Sequence, residues 1–362
     1  MDSSIQKEIP SPCSFRAIGV MSGTSLDGLD LCYAKFDFEN QKWNYKINKT
    51  TTIPYSKDFK QTLSKAIDLS GEDLAQLNSE LGAWIGNRIN EFKSDLEERI
   101  DLIGSHGHTV FHNPKRGFST QIGSGAHIAA LTGIPCVCDF RTGDVARGGQ
   151  GAPLVPIGDE LLFGEFDFCL NIGGIANISY NQNNQRLAYD ICPANMALNH
   201  IANALGKEFD DNGSIGKTGE VNEELLEELN HLDFYGVMGA KSLGREWFEG
   251  VFLTTLNKHN LELKDLMRIV YEHIATKISN ALTLIPKGSV LITGGGAKNQ
   301  FLVELIKQKC NNTLVIPEPI LVDFKEALIF AFLAVLYKLQ IPSCLASVTG
   351  ARNNSIGGCL YY

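Results

Sequence analysis

The sequence predicts a two-lobed α/β protein in which each lobe opens the same way. Three observations carry this. Residues 15–53 read as three strands, FRAIGV, LDLCYAKFDF and KWNYKINKTTTI, an antiparallel meander whose first turn is the small-residue stretch MSGTSLDGLD. Residues 166–180, FDFCLNIGGIANISY, again run strand, Gly-rich turn, strand, and RLAYDI follows a polar turn at 181–185 as a third strand. Behind each meander the pattern changes to helices alternating with short apolar strands, with no low-complexity tract or long linker. The expected division is 1–160 with 345–362 for lobe I and 161–344 for lobe II.

Composition fits this. At 362 residues the chain is long enough for two ordinary domains. It is 44% hydrophobic and 20% charged, as soluble globular proteins are. A net charge of −9 argues against a nonspecific nucleic-acid binder. The polar N-terminus, MDSSIQKEIPSP, has no signal-peptide h-region. The apolar run Ala327–Tyr337 is too short to span a bilayer. Nine scattered cysteines, whose closest pair is Cys136-Val-Cys138, suggest neither a disulfide frame nor a zinc site. Reduced thiols and a cytoplasmic location are the expectation.

In chain order, Ser70–Glu98 reads as a long helix, with Leu74, Leu77, Leu81, Trp84 or Ile85, Ile89, Phe92 and Leu96 at three- and four-residue steps. The strand Leu102–Ser105 leads into HGHTVFH. A helix, Ser124–Thr132, precedes the strand PCVCDF and the loop RTGDVARGGQGAPLVP, whose glycines and prolines exclude regular structure. In the second half, Pro193–Leu205, Val221–Leu229 and most of Leu261–Leu284 read as helices. Ser289–Thr293 is a strand that ends in GGGAKNQ. The helix Phe301–Lys309, the strand Thr313–Ile316, the apolar helix Ala327–Leu339 and the loop TGARNNSIGG complete the chain.

Two Gly-rich turns, one per meander, suit a phosphate chain held by backbone N–H groups. The first holds Gly23, Thr24, Ser25, Leu26, Asp27, Gly28, Leu29 and Asp30; the second holds Gly173 and Gly174. Asp30, between Leu29 and Leu31, is a carboxylate whose burial is costly unless it is paired or used. Gly294, Gly295 and Gly296 end a strand before a helix, where a ring or ribose can approach the backbone. A dinucleotide fingerprint here would need Gly at 299, which is Asn299. A P-loop ending at Gly216-Lys217-Thr218 would need Gly at 211, which is Asp211.

His106, His108 and His112 near Asp139 and Asp144 could ligate a metal, but the H-x-H-x-D-H pattern lacks its Asp. Hydrogen bonding to a sugar is the favoured reading. Glu326 reads equally as a helix cap, Asp323-Phe324-Lys325-Glu326, or as a ligand contact. Lys241, Arg245 and Glu246 form either a solvated helix start or a clamp on a charged substrate. Asp190 ends the second meander, where it could be a general base; from position alone a turn aspartate is slightly favoured.

These motifs resemble the anhydro-N-acetylmuramic acid kinases, of the hexokinase/actin/heat-shock-protein ATPase superfamily. The matching pieces are IGVMSGTSLDGLD, SHGHTVFH, DFRTGDVARGGQGAPLVP, NIGGIANIS, AKSLGREWF, LITGGGAKNQFL, EALIFAFLA and VTGA. The resemblance implies two ribonuclease-H-like (actin-like ATPase) lobes, each a mixed five-stranded sheet flanked by helices, with an interlobe ATP cleft. It implies a kinase that adds water at the anomeric carbon of 1,6-anhydro-N-acetylmuramic acid, opens the 1,6-ether and phosphorylates O6 from ATP. The product is N-acetylmuramic acid 6-phosphate, in peptidoglycan turnover. By the same resemblance Asp190 is the water-activating base. Gly23 to Asp30, Gly173, Gly174 and Asn177 hold phosphates, and Gly294–Gly296 border the adenosine. Asp27 and Asp30 serve Mg²⁺, directly or through water. His106, His108, Asp139, Arg141, Gln150, Asn195, Glu326 and Thr349 line the sugar site. The sugar and ATP are the partners, with no nucleic acid or membrane, and a homodimer is allowed. The sequence departs from the family at Ile191, Cys192, Ala194, His108 and Ala240. A same-fold kinase on another amino sugar or sugar acid, and a catalytically silent nucleotide-binding protein, are the alternative readings.

Overall fold

A computed structural model describes residues 9–362 apart from Thr24, Ser25, Asp27, Met238 and Ala240. The chain divides into two compact units, Met1–Leu162 with Phe324–Tyr362, and Phe163–Asp323.

The first unit is built on a six-stranded mixed sheet. Cys13–Ser22 pairs antiparallel with Gly28–Glu39, which pairs antiparallel with Lys42–Pro54. On the other side of Cys13–Ser22, the strand Leu102–Ser105 runs parallel to it and Cys136–Cys138 runs parallel to that. The C-terminal strand Cys359–Tyr361 adds antiparallel to Cys136–Cys138, a sixth strand where five are expected. The helix Gly71–Phe92, capped by the Ser70 hydroxyl, buries Leu77, Leu81, Ile85 and Ile89. These meet Ile18, Val20, Leu29, Leu31 and Ile103 of the sheet in one apolar cluster. A Cβ on Gly19 would lie 1.7 Å from the Ala327 carbonyl oxygen, and one on Gly104 would lie 2.0 Å from that of Phe330. The two glycines let the backbone of the helix Pro319–Leu339 rest on the sheet. This contact returns the chain to the first unit at Phe324, not at 345 as the sequence reading has it.

The second unit carries a five-stranded mixed sheet. Phe168–Ile172, Ile175–Gln182 and Gln185–Pro193 form an antiparallel meander. Ser289–Thr293 runs parallel to Phe168–Ile172, and Thr313–Val315 runs parallel to Ser289–Thr293. The helix Leu263–Leu282 buries Met267, Val270, Tyr271, Ile274 and Ile278, in one core with Phe168, Leu170, Ile178 and Leu302.

Several boundaries differ from expectation. The last long helix starts at Pro319, a residue well tolerated in a first helical turn. Asp323 and Glu326 therefore lie inside a helix and do not cap it. The strand before Asn195 runs on to Pro193, so the helix there is Asn195–Ala204. The histidine segment forms a hairpin, His108–Asn113 with Phe118–Ile122, the second strand unforeseen. One short helix, Thr142–Val145, interrupts the expected loop. Among the described residues no helix is long and apolar enough to cross a membrane.

Candidate active site

In the first unit, the small-residue turn follows the strand Cys13–Ser22. Its Thr24, Ser25 and Asp27 lie outside the described residues. Leu26 donates its N–H to the Gly23 carbonyl at 3.2 Å and holds φ at 57°. Gly28 starts the next strand, where a Cβ would sit 2.7 Å from the Ile53 carbonyl oxygen. Leu29 is fully buried, so its side chain belongs to the core and only its backbone can serve a ligand. Asp30 lies opposite Thr52, whose hydroxyl donates to Asp30 Oδ1 at 2.5 Å.

His106 follows the strand Leu102–Ser105 and is buried. Its Nδ1 faces the Gly107 carbonyl at 2.8 Å, so that nitrogen carries the proton. Nε2 then accepts from Arg141, at 3.2 Å from Nε and 2.9 Å from the terminal nitrogen. Burial, with Arg141 adding to it, pushes His106 down to about 3, so the ring is a neutral acceptor that aims the guanidinium. Arg141 also donates to the Gly151 carbonyl at 2.7 Å. Burial pushes the Glu326 carboxyl up, Lys325 and Arg141 oppose the rise, and Asp30 and Asp159 add to it. Glu326 thus shares an electrostatic neighbourhood with Arg141 and Asp30. Its neighbour Lys325 forms a buried ion pair with Asp159 at 2.6 Å. His108 is buried, and its Nδ1 has no hydrogen-bond partner among the described residues.

The glycine-rich loop is fixed by Asp144, which is fully buried. Its carboxylate accepts the Gly151 N–H at 2.7 Å and the Thr349 hydroxyl at 2.8 Å. The Gln150 N–H donates to the Thr349 carbonyl at 2.8 Å. Thr349, read as a substrate contact, is buried and gives its hydroxyl proton to Asp144, so it positions the loop. The sequence reading offers Asp144 only as a metal ligand; in the structure it is the carboxylate that fixes the loop. Gln150 and Asp139 are exposed, and Asp139 Oδ1 accepts the Thr142 hydroxyl at 2.5 Å. His112 turns to the Ser119 hydroxyl at 3.0 Å. No group of three or more His, Cys, Asp or Glu suited to a metal occurs among the described residues.

In the second unit, the Gly173-Gly174 turn, the start of the helix Asn195–Ala204 and the Gly294–Gly296 segment converge. The Gly174 carbonyl accepts the Ala194 N–H at 2.8 Å, and the Gly173 carbonyl accepts the Asn195 N–H at 3.1 Å. The Asn195 side chain, expected at the sugar, donates to the Ile172 carbonyl at 3.3 Å. Gly294 has φ 82°, and a Cβ there would lie 2.6 Å from Asn171 Oδ1. A Cβ on Gly296 would fall 2.2 Å from Ile172. Asn171 and Ile172 thus fill the space a side chain would need at Gly294 and Gly296, so glycine lets this segment pack tightly on the strand Phe168–Ile172, whereas a Cβ on Gly173 or Gly174 would meet nothing nearer than 3.5 Å. Asn177 pairs with both Asn171 and Asp190 in the sheet register.

Asp190 sits at a bulge between the strand partners Asp190 and Cys192. Its N–H donates to the Lys241 carbonyl at 2.9 Å. Its Oδ2 accepts the Leu243 N–H at 2.8 Å and the Ser242 hydroxyl at 3.0 Å. Burial pushes its carboxyl up, and these two bonds oppose the rise. A carboxylate oriented by two donors and raised toward neutrality has the character of a general base. The supporting pair, Ser242 and Leu243, escaped the sequence reading, which singled out their neighbours. Those neighbours do not cluster: Arg245 pairs with Glu249 one helical turn on at 2.7 Å, and Lys241 Nζ donates to the Phe234 carbonyl at 3.2 Å. The residues that depart from the family after Asp190 point inward, with Ile191 4% exposed and Cys192 and Ala194 fully buried.

The family profile described as anhydro-N-acetylmuramic acid kinase matches residues 15–362. The anhydro-N-acetylmuramic acid kinase of Bacillus cereus (strain Q1) is 33% identical over 377 residues, covering 95% of this chain and 98% of the relative. That of Vibrio vulnificus (strain YJ016) is 35% identical over 365 residues, covering 95% and 97%. That of Crocosphaera subtropica is 33% identical over 376 residues, covering 95% and 98%. The chain belongs to the anhydro-N-acetylmuramic acid kinase family.

Proposed function

We propose that this chain is an ATP-dependent kinase that hydrolytically opens 1,6-anhydro-N-acetylmuramic acid and phosphorylates O6. Family membership supports the reaction class, and the held carboxylate of Asp190 is the observation that carries the mechanism. Asp190 takes a proton from water as the water oxygen bonds to C1. The C1–O6 bond breaks, O6 attacks the γ-phosphorus, and ADP departs. N-acetylmuramic acid 6-phosphate and ADP result, in the recycling of peptidoglycan.

Phosphoryl transfer asks for positioning and charge neutralisation. In this reading the Gly23–Asp30 turn and the Gly173-Gly174 turn serve the phosphates, and Gly294–Gly296 serve the adenosine. Mg²⁺, a hard cation that prefers oxygen, would be held by Asp30 and Asp27 and would neutralise phosphate charge. Burial is the main cause of the rise of the Glu326 carboxyl, and the Asp30 charge adds to it, so two carboxylates whose oxygens suit a hard cation share one electrostatic neighbourhood. Arg141, held by His106, and Glu326 orient the sugar. The equivalent strand orders of the two sheets, a meander followed by two strands parallel to its first, support duplicated actin-like ATPase lobes. A cytoplasmic location fits the reduced thiols. The inward-facing Ile191, Cys192 and Ala194 favour the family substrate over another amino sugar. A phosphate-transfer screen over muramic and glucosamine derivatives, with product mass, tests this; preference for a glucosamine derivative would overturn it.

A further inference from the structure

The second unit contains a cavity of about 350 Å³ that none of the roles above uses. Tyr180, Tyr189 and Tyr235 form its walls, and Lys241, Lys277 and Asn280 border it. Its volume lies in the small-molecule range. Lys277 Nζ donates to the Asn230 carbonyl at 2.5 Å and stands 4.2 Å from the Tyr235 ring centroid. Lys241 Nζ donates to the Phe234 carbonyl and lies 4.6 Å from the Phe234 centroid and 5.7 Å from that of Tyr189. Carbonyl and ring-face contacts hold an ammonium in place without cancelling its charge. Neither lysine has an ion-pair partner among the described residues. Glu227 bears on Lys277 only through space. Burial lowers both ammonium groups, and Lys241 lowers Lys277 further, so the two charges feel one another. A chain of net charge −9 therefore keeps two uncompensated positive charges on one aromatic-walled hollow.

From this cluster we infer that the cavity binds a small organic phosphomonoester, its dianionic phosphate between Lys241 and Lys277 and its ring against the tyrosines. Two point-like ammonium groups match two negative charges on one compact group, which a phosphomonoester carries at neutral pH and a single carboxylate does not. The Tyr235 hydroxyl is fixed by His273 at 2.8 Å, so this wall is set before a ligand arrives. Lys241 also lies in the strap that holds Asp190, through its carbonyl and through Ser242 and Leu243. Occupancy thus reaches the residue read as the base; this coupling rests on the kinase reading, whereas the binding itself does not.

The test is calorimetric titration of the full chain with phenyl phosphate in the presence of ADP and Mg²⁺, which occupy the phosphate turns. Saturable one-site binding is expected, with none for benzyl alcohol and much weaker binding for benzoate. Lys277→Met should weaken it about tenfold or more, and Lys277→Arg, which keeps the charge, should restore it to within about threefold. Asn280→Trp, at an exposed rim position, should block it and covers the case in which Lys277→Met does not fold. No saturable binding, equal binding of benzyl alcohol or benzoate, or unchanged affinity in Lys277→Met or Asn280→Trp would overturn the inference. Because the readout is binding, an unexpected sugar specificity leaves it standing.

Discussion

Replacing Asp190 with asparagine isolates the role of its charge. The asparagine oxygen can still accept the Leu243 N–H and the Ser242 hydroxyl, so the strap over the bulge stays in place. What is lost is the ability to take a proton from the attacking water. General-base catalysis contributes about 10²–10⁴-fold, or about 3–5 kcal/mol of barrier. A loss of that size in kcat is expected in a coupled assay of ADP release with saturating anhydro sugar. ATP affinity by calorimetry should change by less than about twofold, because the Gly173-Gly174 and Gly294–Gly296 backbone is untouched. Burial already disfavours the ionised carboxylate, so the unfolding midpoint at pH 7 should hold level or rise. The raised carboxyl also sets the wild-type pH profile. The base works when ionised, so kcat/KM should fall on the acid side with a midpoint above the usual aspartate range. A variant with near-normal kcat would refute the assignment of Asp190 as base.

Other perturbations probe the supports of the site. Gly294→Ala places a methyl 2.6 Å from Asn171 Oδ1 at a positive φ, costing about 1–3 kcal/mol. Thermal unfolding should show this together with weaker ATP binding, and unchanged ATP affinity would speak against the adenosine role of this segment. Lys325→Met leaves Asp159 buried without its ammonium and should destabilise by about 3–5 kcal/mol in urea, whereas a loss below about 1 kcal/mol would contradict a buried pair. His106 titrates near 6.5 when unfolded and near 3 when folded. Across that window the unfolded chain binds the extra proton, so stability falls as pH drops, by about 1.4 kcal/mol per pH unit. His106→Gln should flatten that slope in urea titrations at several pH values, and an unchanged slope would mean the imidazole is not held neutral.

The two meanders and their Gly-rich turns were legible because strand alternation and turn chemistry are local properties. Gly173, Gly174, Asn195 and Gly294–Gly296, read from three separate stretches, do come together. The long-range fixings were not legible. Asp144 meets Thr349 from far along the chain, and no local pattern pairs them. The sixth strand, Cys359–Tyr361, is three residues long and reads as a tail until Cys136–Cys138 lies beside it. The helix at Pro319 reads too short in the sequence because Asp323 and Glu326 imitate a cap; in the structure Asp323 pairs with Lys298, Lys325 pairs with Asp159, and Glu326 lies in the field of Arg141. The glycines at 19 and 104 gave no signal as strand residues; their purpose appears only when a helix backbone rests on them.

The central claim is that sugar opening and phosphoryl transfer are one reaction. Incubating the protein with ATP, Mg²⁺ and 1,6-anhydro-N-acetylmuramic acid in oxygen-18-enriched water tests it most directly, with ADP and product mass followed together. The account predicts one ADP per sugar and a product heavier by one water and one HPO₃, with one heavy oxygen at the anomeric carbon and none in the phosphate. ADP release that does not depend on the sugar, or heavy oxygen found in the phosphate instead, would contradict it.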